Sequence, residues 1–325
     1  MPDYRQIVDA DIWNFIQKTQ SLYPDDMCAQ SIEAPRQSYK RICDYFQGDL
    51  PANLTIKDKT IGKVRVRIYG KASHTSLIFF HGGGFVVGNL DSHHSICAEF
   101  ALASGLQVIA VDYRLSPENR HPAAYEDGLS VCKHYLVQGD IILLGDSAGA
   151  TLAATICGTL NPVPYHPSRI IGQVLIYPSL CDDRDMNRGS YITHANAPML
   201  SRTDALYYAS VRQGKPDDPT HNPMQGNFSL VPPSMIFVAE CDPLYDDGFI
   251  YAKKLRQHGG KVKVNDEKGL VHGYLRARHS SQRAMNSFQR ISTSIHELLV
   301  IKHEHPDNKK PVVKRCLKRF HFNLA

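Results

Sequence analysis

Seven short apolar or β-branched runs, separated by helical stretches, constrain the fold of this chain most. They cover residues 64–69, 76–80, 107–111, 141–144, 173–177, 234–240 and 261–264. Several are apolar without interruption, which is typical of strands buried on both faces of a parallel sheet. Helical periodicity predicts crossover helices over residues 94–104, 122–137, 148–160, 246–258 and 280–300. The sequence therefore predicts an α/β fold with a mostly parallel central sheet flanked by helices.

Two regions interrupt this alternation. Residues 1–48 precede any predicted strand and hold two amphipathic stretches, one around Ile7 to Phe15 and one with apolar side chains at Tyr39, Ile42, Cys43 and Phe46. Residues 182–225 are polar and proline-containing, with one helical piece near Thr203 to Arg212. Neither region has enough apolar residues for its own core, so we expect both to form a helical cap over one edge of the sheet.

This pattern divides the chain into five predicted segments. They are the N-terminal cap helices (1–48), the first part of the core (49–181), a cap insertion (182–225), the second part of the core (226–301) and a basic C-terminal tail (302–325).

The segment GDSAG at residues 145–149 lies between a predicted buried strand and a predicted helix. It matches the G-x-S-x-G pattern of a nucleophile elbow, in which the serine occupies a strained turn from strand to helix. Gly145, Ala148 and Gly149 are small enough to let the backbone turn without collision, and Asp146 completes the motif. The free amides at the helix start would face an oxygen that becomes negative. The pattern predicts Ser147 as a nucleophile.

The segment HGGGF begins at His81, directly after the strand predicted at residues 76–80. Its glycines Gly82, Gly83 and Gly84 would expose backbone amides that a substrate carbonyl can approach closely. By itself such a loop is equally compatible with a flexible turn. Together with GDSAG it predicts an oxyanion loop. Neither G-x-G-x-x-G nor G-x-x-x-x-G-K-[ST] is present, which disfavours a dinucleotide or phosphate loop.

A nucleophilic serine needs a base, and that base needs an orienting carboxylate. His272 lies in the glycine-flanked segment KGLVHGY, after the last predicted strand, and is the candidate base. Strand ends on the same sheet edge as the elbow would bring these groups together. Four acids follow or end the strand predicted at residues 234–240: Glu240, Asp242, Asp246 and Asp247.

Asp242 is the preferred acid among these four, because the proline that follows it holds the turn. Glu240 is the second choice. Asp246 and Asp247 are predicted to lie in the first turn of a helix, where they interact favourably with the helix dipole.

Five segments together resemble the hormone-sensitive-lipase-like branch of the α/β-hydrolases, and most of all its bacterial acetyl esterases: HGGGFVVGNLDSH, VDYRLSPENRHPAAYEDG, GDSAG, DPLYDD and VHGY. The resemblance spans roughly residues 60–300. It implies a triad of Ser147, Asp242 and His272, with the amides of Gly83, Gly84 and Ala148 in the oxyanion hole. It also implies a helical cap. We therefore expect a cofactor-free serine carboxylesterase that hydrolyses small, short-chain acyl esters through an acyl-enzyme intermediate.

Two other functions remain open at this stage. A non-catalytic regulator that binds a small molecule or a protein could use the same scaffold, because fold alone does not determine function. A lipase working at membranes, anchored by the basic tail, is the second; the absence of long apolar lid stretches disfavours it.

The net charge of +5 is concentrated in the tail. From Lys302 onward there are seven Lys/Arg and two Asp/Glu, so residues 1–301 balance at 30 against 30. We therefore expect no nucleic-acid partner. The segment VVKRCLKRFHF (312–322) has one apolar and one basic helical face. We expect a docked helix or a loosely ordered tail, with weak membrane-surface or partner binding as the alternative.

Eight scattered cysteines, with no CxxC pair, disfavour structural zinc and indicate a reducing compartment. No signal peptide and no run of ~20 apolar residues is present, so we expect a cytoplasmic protein without a transmembrane segment. Asp91, His93 and His94 lack a supporting cluster, which favours capping or surface roles over metal binding. A homodimer is left open.

Three further residues carry predictions. Arg114 is expected to form an internal salt bridge with Glu118 or Asp127, with binding of a substrate carboxylate as the alternative. The single tryptophan, Trp13, is assigned equally to the cap core or to an acyl pocket. Helix 122–137 is predicted to end early at Gly139, because the segment between PAAYEDG and GDSAG is shorter than in the family it resembles.

Overall fold

The computed structural model of the chain describes residues 2–22, 32–160, 169–181 and 186–304. Its centre is one eight-stranded sheet. The strands are β1 (Ile56–Ile61), β2 (Val64–Tyr69), β3 (Thr75–Phe80), β4 (Gln107–Asp112), β5 (Asp140–Asp146), β6 (Ile170–Ile176), β7 (Ser234–Cys241) and β8 (Val262–Val271). Their order is β1-β2-β4-β3-β5-β6-β7-β8. Strand β2 pairs antiparallel with β1 and β4, and every other pair is parallel. The predicted α/β fold with a mostly parallel sheet is confirmed.

The described residues also form ten α-helices and three short 3₁₀ helices. The α-helices are α1 (Tyr4–Ile7), α2 (Ala10–Ser21), α3 (Glu33–Tyr45), α4 (His94–Ser104), α5 (Ala123–Leu136), α6 (Ala148–Thr159), α7 (Ser190–Thr193), α8 (Arg202–Arg212), α9 (Tyr245–Gln257) and α10 (Gln282–Glu304). The 3₁₀ helices span Pro223–Gln225, Phe228–Leu230 and Tyr274–His279. No helix in the described part of the chain is both long enough and apolar enough to cross a membrane.

Two hydrophobic cores lie on opposite faces of the sheet. Strand β3 shows why: Leu77 and Phe79 enter one core, whereas Ile78 and Phe80 enter the other. Side chains alternate between the faces of a strand, so a continuously apolar strand can fill both cores. Helices α2, α4 and α10 cover the first core, and α5, α6 and α9 cover the second.

Strand β1 was not predicted, because its sequence IKDKTI has no apolar run. Only Ile61 is buried within it, and its central residues are exposed. Charged side chains on an edge strand discourage pairing with another chain. An edge strand of this kind therefore lacks the apolar pattern that reveals the central strands.

Helix α5 ends at Leu136, close to its predicted end, but the predicted reason is wrong. Gly139 is not a left-handed cap, since its φ angle is not positive. A Cβ atom at Gly139 would lie 2.0 Å from the carbonyl oxygen of His74. The glycine is needed because two backbone segments approach each other closely at this point.

Candidate active site

The carboxyl ends of three parallel strands position the three predicted catalytic side chains. Ser147 stands between the end of β5 and the start of α6, Asp242 directly follows β7, and His272 directly follows β8. Parallel strands of one sheet end at the same edge. The chain is therefore folded so that groups 95 and 125 residues from Ser147 in sequence reach one place.

The three side chains form a hydrogen-bonded chain. His272 Nε2 lies 2.9 Å from Ser147 Oγ, and His272 Nδ1 lies 2.7 Å from Asp242 Oδ2. Asp242 is fully buried, and its second oxygen accepts a hydrogen bond of 2.9 Å from the Leu244 amide. With Asp242 oriented in this way, His272 can present an unprotonated Nε2 to the serine hydroxyl.

The other three acids lie elsewhere. Glu240 accepts hydrogen bonds from the Gly269 amide at 2.7 Å and from Lys268 Nζ at 3.1 Å. Asp246 and Asp247 lie in the first turn of α9, as predicted. Asp247 is also fully buried, and its carboxylate accepts hydrogen bonds from the amides of Leu180 and Cys181. None of Glu240, Asp246 and Asp247 is hydrogen-bonded to His272, whose side-chain partners are Asp242 and Ser147.

Ser147 occupies a strained backbone conformation, with φ 52° and ψ −121°. The flanking glycines leave the necessary space. A Cβ atom at Gly145 would lie 2.4 Å from the carbonyl carbon of Gly149, and one at Gly149 would lie 2.0 Å from the carbonyl oxygen of Phe80. Positive φ is uncommon for a residue with a side chain and is enriched at functional sites. The turn places Ser147 in the wall of a cavity that His272 also lines.

Gly83, Gly84 and Ala148 line the same cavity as Ser147. Gly83 and Gly84 have positive φ angles of 120° and 61°, and the Gly83 carbonyl accepts the amides of Val86 and Val87, which fixes the loop. Within the described residues, no acceptor is hydrogen-bonded to these three predicted oxyanion amides. They are therefore available to a ligand oxygen.

Asp146 links the glycine loop to the elbow, a role that the sequence analysis did not identify. Its carboxylate accepts the Gly82 amide at 2.8 Å and the Tyr177 hydroxyl at 3.2 Å, and lies 3.3 Å from His93 Nε2. Burial alone would raise the pKa of Asp146, but the neighbouring His93 ring and Arg276 outweigh burial and hold the pKa at about 2. Asp146 is therefore a buried carboxylate that fixes the position of the loop.

His81 and His93 lie beneath this loop. The His81 Nδ1–H donates to the Gly82 carbonyl at 2.8 Å, and its ring stacks on Tyr113 at 4.3 Å. His93 occupies the N-cap position of α4, within the predicted alternatives, but its side chain makes no capping hydrogen bond and is buried, so a surface role is wrong for this residue. Arg276 contacts the His93 ring at 3.3 Å.

The two other candidate metal ligands have ordinary structural partners. His94 is 2.8 Å from the Tyr69 hydroxyl, and Asp91 forms an ion pair of 2.7 Å with Arg67. Across the ranges that the structure describes, no group of three or more His, Cys, Asp or Glu side chains could hold a metal ion.

A cavity of about 180 Å³ opens over Ser147 and His272. Both regions predicted to form a cap contribute to its walls. From residues 1–48 come Thr19, Tyr39 and Ile42, and from α8 come Ala205, Tyr208, Ala209 and Arg212. A Cβ atom on Gly84 would lie 2.2 Å from the Tyr208 ring, which shows how closely α8 covers the glycine loop.

The remaining sequence candidates lie outside the cavity. Arg114 forms the predicted salt bridge with Asp127 at 2.9 Å, together with a second one to Glu126 at 3.1 Å. Glu118, the alternative partner, pairs with Arg36 instead. Trp13 packs against the first core and is not among the cavity residues.

Comparison with known proteins gives consistent matches. A family profile described as the alpha/beta hydrolase fold matches residues 77–276. Esterase LipI of Mycobacterium tuberculosis is 34% identical over 269 residues, covering 75% of this chain and 81% of that protein. An acetyl esterase of Salmonella paratyphi B is 30% identical over 262 residues, covering 75% and 80%. An ethyl acetate hydrolase of Pseudomonas putida is 33% identical over 213 residues, covering 62% and 66%.

Solved structures are similar over most of the chain. A hyperthermophilic esterase from the archaeon Pyrobaculum calidifontis superposes with a TM-score of 0.80 at 25% identity, covering 90% of this chain and 99% of that one. The apo form of ESTFA superposes with a TM-score of 0.79 at 28% identity, covering 90% and 100%.

Proposed function

The chain belongs to the α/β-hydrolase fold family, and we propose that it is a serine carboxylesterase in which Ser147, His272 and Asp242 form the catalytic triad. The activity is hydrolysis of carboxylic esters, which the names of its esterase, acetyl esterase and ethyl acetate hydrolase relatives support. The observation that carries the residue assignment is the hydrogen-bonded chain from Asp242 through His272 to Ser147, at 2.7 Å and 2.9 Å.

In acylation, each group of the site has a distinct role. Ser147 Oγ attacks the ester carbonyl while His272 Nε2 takes the proton of the serine hydroxyl. Asp242 accepts a hydrogen bond from the Nδ1–H of His272 and stabilises the charged imidazole. The carbonyl oxygen becomes negative within reach of the Gly83, Gly84 and Ala148 amides. When the tetrahedral intermediate collapses, His272 returns the proton to the departing alkoxide, and the alcohol leaves.

Deacylation repeats these steps with water. His272 takes a proton from a water molecule that attacks the acyl-serine carbonyl, and the same three amides hold the oxyanion. His272 then protonates Ser147 Oγ as the carboxylic acid departs. The fixed glycine loop matters because an amide donor stabilises an oxyanion best when it does not have to reorganise.

The cavity favours small substrates. Its volume of about 180 Å³ lies below the roughly 300–1,000 Å³ of pockets that hold drug-sized ligands. We therefore propose acetyl to butyryl esters as the preferred acyl range.

Replacing Ser147 by alanine tests the assignment. Turnover of a chromogenic acetyl or butyryl ester should fall by about 10⁵- to 10⁶-fold, because the acyl-enzyme can no longer form. A serine-directed organophosphate should label the wild-type protein at Ser147 and leave the variant unlabelled. Near-wild-type hydrolysis by the variant would exclude this nucleophile.

The proposal extends to location and partners. The six cysteines in the described ranges are free thiols, which supports a reducing compartment and hence the cytoplasm. Homodimerisation and weak surface binding by the basic tail stay predictions, and the tail after Glu304 lies outside the described residues.

A further inference from the structure

Arg212, the last residue of α8, is a buried cation that has no carboxylate partner in the part of the chain that the structure describes. It is 8% exposed and lines the cavity over Ser147. Its guanidinium packs on the Phe85 ring at 3.9 Å, directly beside the oxyanion glycines. Among the residues that the structure describes, no acceptor is hydrogen-bonded to this guanidinium and no acid forms an ion pair with it.

Two other arginines are buried in the described ranges, and the side chains of both donate hydrogen bonds. Arg278 forms an ion pair with Glu99 and bonds to the Ser95 hydroxyl. Arg276 donates to the Ser92 carbonyl at 2.9 Å and to the Tyr39 hydroxyl at 2.8 Å. Buried charges are normally paired, because desolvating a charge without a partner costs several kcal/mol. Arg276 lines the cavity as Arg212 does, but Arg212 differs from both arginines in that its donors have no hydrogen-bond partner among the described residues.

The charges around Arg212 do not neutralise it. Among the described residues that line the cavity, Asp146 is the only carboxylate, and it already accepts hydrogen bonds from the Gly82 amide and the Tyr177 hydroxyl. Asp218 acts on Arg212 at longer range, but its carboxylate bonds to His121 and Thr220. Among the described residues of the cavity wall, the two arginines Arg212 and Arg276 outnumber the one carboxylate, Asp146.

Burial lowers the pKa of Arg212 to about 9, with Tyr113 and Asp218 acting in the opposite direction. The side chain therefore stays charged at neutral pH while poorly solvated. A guanidinium in this state gains most from a planar, bidentate acceptor, and a carboxylate has that geometry and fits a small cavity.

We propose that Arg212 is a specificity-determining residue that binds a carboxylate on the substrate, so that the preferred substrates are small esters with a free carboxylate. The shared chemistry has two sources: hemiesters of short dicarboxylic acids, with the carboxylate on the acyl side, and O-acylated hydroxy acids, with the carboxylate on the alcohol side. This inference rests on the proposed esterase activity.

Two matched substrate pairs test the proposal. The acyl-side pair is mono-4-nitrophenyl glutarate against 4-nitrophenyl valerate. The alcohol-side pair is 4-acetoxybenzoate against its methyl ester. For each pair, the measured quantity is the ratio of kcat/KM for the anionic ester to that for the neutral ester. This ratio is independent of the folded fraction, because both substrates report on the same protein preparation.

The wild-type protein should prefer the anionic ester in at least one pair. Arg212→Gln should lower that ratio about 10- to 100-fold, mainly through KM, as expected for loss of a charged hydrogen bond. Arg212→Lys should keep part of the preference, because it keeps the charge. Arg202→Gln, at the other end of α8 and outside the cavity wall, is the matched control and should leave the ratio unchanged.

A ratio that falls in one pair supports the proposal and assigns the side of the ester that carries the carboxylate. Ratios within twofold of wild type in both pairs for Arg212→Gln would overturn it. Failure of the esterase assignment itself would look different, because the wild-type protein would then hydrolyse neither the neutral nor the anionic esters.

Discussion

At the scale of single residues, Ser147 and its two flanking glycines depend on one another. The positive φ of Ser147 is a strained conformation that persists only where the surroundings enforce it. Here they do so through contacts that leave no room for a side chain at Gly145 or Gly149. The small residues of the motif therefore have a steric reason that is separate from the chemistry of the serine.

The buried groups beneath the glycine loop make stability depend on pH. Burial, with a smaller contribution from the neighbouring His93 ring, lowers the pKa of His81 to about 4 from the ordinary 6.5. A histidine whose folded-state pKa is depressed stabilises the fold fully above about pH 6.5. This contribution is lost as the pH falls from 6.5 through 4, because the unfolded chain takes up the proton first.

The His81→Asn variant tests this effect, since asparagine can keep a donor for the Gly82 carbonyl but does not titrate. Between pH 7 and pH 4, the unfolding free energy of wild type should fall by about 3 kcal/mol more than that of the variant. Urea unfolding at each pH gives both values. His74 is exposed, and His74→Asn is the control. The unfolding free energy of this control should change with pH as that of wild type does. Parallel slopes for wild type and His81→Asn would contradict the prediction.

The residues of the triad could be proposed from sequence because each one follows a recognisable strand in a short glycine- or proline-marked segment. Asp242 was separable from Glu240 by its neighbouring proline, and Glu240 is indeed engaged with Lys268 and Gly269. His93 and Arg212 were not recognised. Both lie in polar segments, and their burial arises only when distant elements pack over them, which local sequence patterns do not encode.

At the scale of elements, the predicted strands differ from β1 in whether a local sequence pattern reveals them. Strands β3 to β7 are apolar because both faces are covered, so periodicity alone revealed them. Strand β1 has one neighbour and solvent-exposed charges. Its pairing with β2 appears only in the folded structure and is not indicated by an apolar pattern in its own sequence. The predicted helices α4, α5, α6 and α9 match the observed bounds to within two residues at each end. Each of these helices packs on one of the two faces of the sheet.

Helix α8 sets the size of the cavity through Tyr208, whose ring covers Gly84. Tyr208→Ala should enlarge the cavity and shift the preference toward longer acyl chains. The gain should be about fourfold in relative kcat/KM for each methylene that the enlarged cavity accommodates. A series of 4-nitrophenyl esters from acetate to octanoate measures it.

Tyr207→Ala is the control for this change, because Tyr207 lies on the same helix, is 42% exposed and does not line the cavity. Its chain-length profile should match that of wild type. If the Tyr208→Ala profile also matched wild type, the covering role assigned to Tyr208 would be wrong.

At the scale of the whole molecule, the proposed catalytic groups and the proposed selective groups come from different parts of the chain. The triad and the glycine loop stand on loops that a doubly covered sheet holds in place, whereas much of the cavity wall comes from segments with few apolar residues of their own. Motifs therefore carry the chemistry and are readable in sequence. Substrate selection depends on how the polar segments pack over the site, which requires the structure.

The basic tail should be separable from catalysis, because the cavity residues in the described part of the chain all lie between Thr19 and Arg276. Removing residues 305–325 should leave kcat/KM for 4-nitrophenyl acetate within twofold of wild type. A loss of more than tenfold would show that the tail supports the site.

The basic tail is also predicted to bind anionic surfaces weakly. Vesicles containing phosphatidylserine should then bind the full chain in a salt-sensitive way. They should bind neither the truncated chain nor one with glutamine at Lys314, Arg315, Lys318 and Arg319. Equal binding by all three proteins would exclude a surface role for the tail.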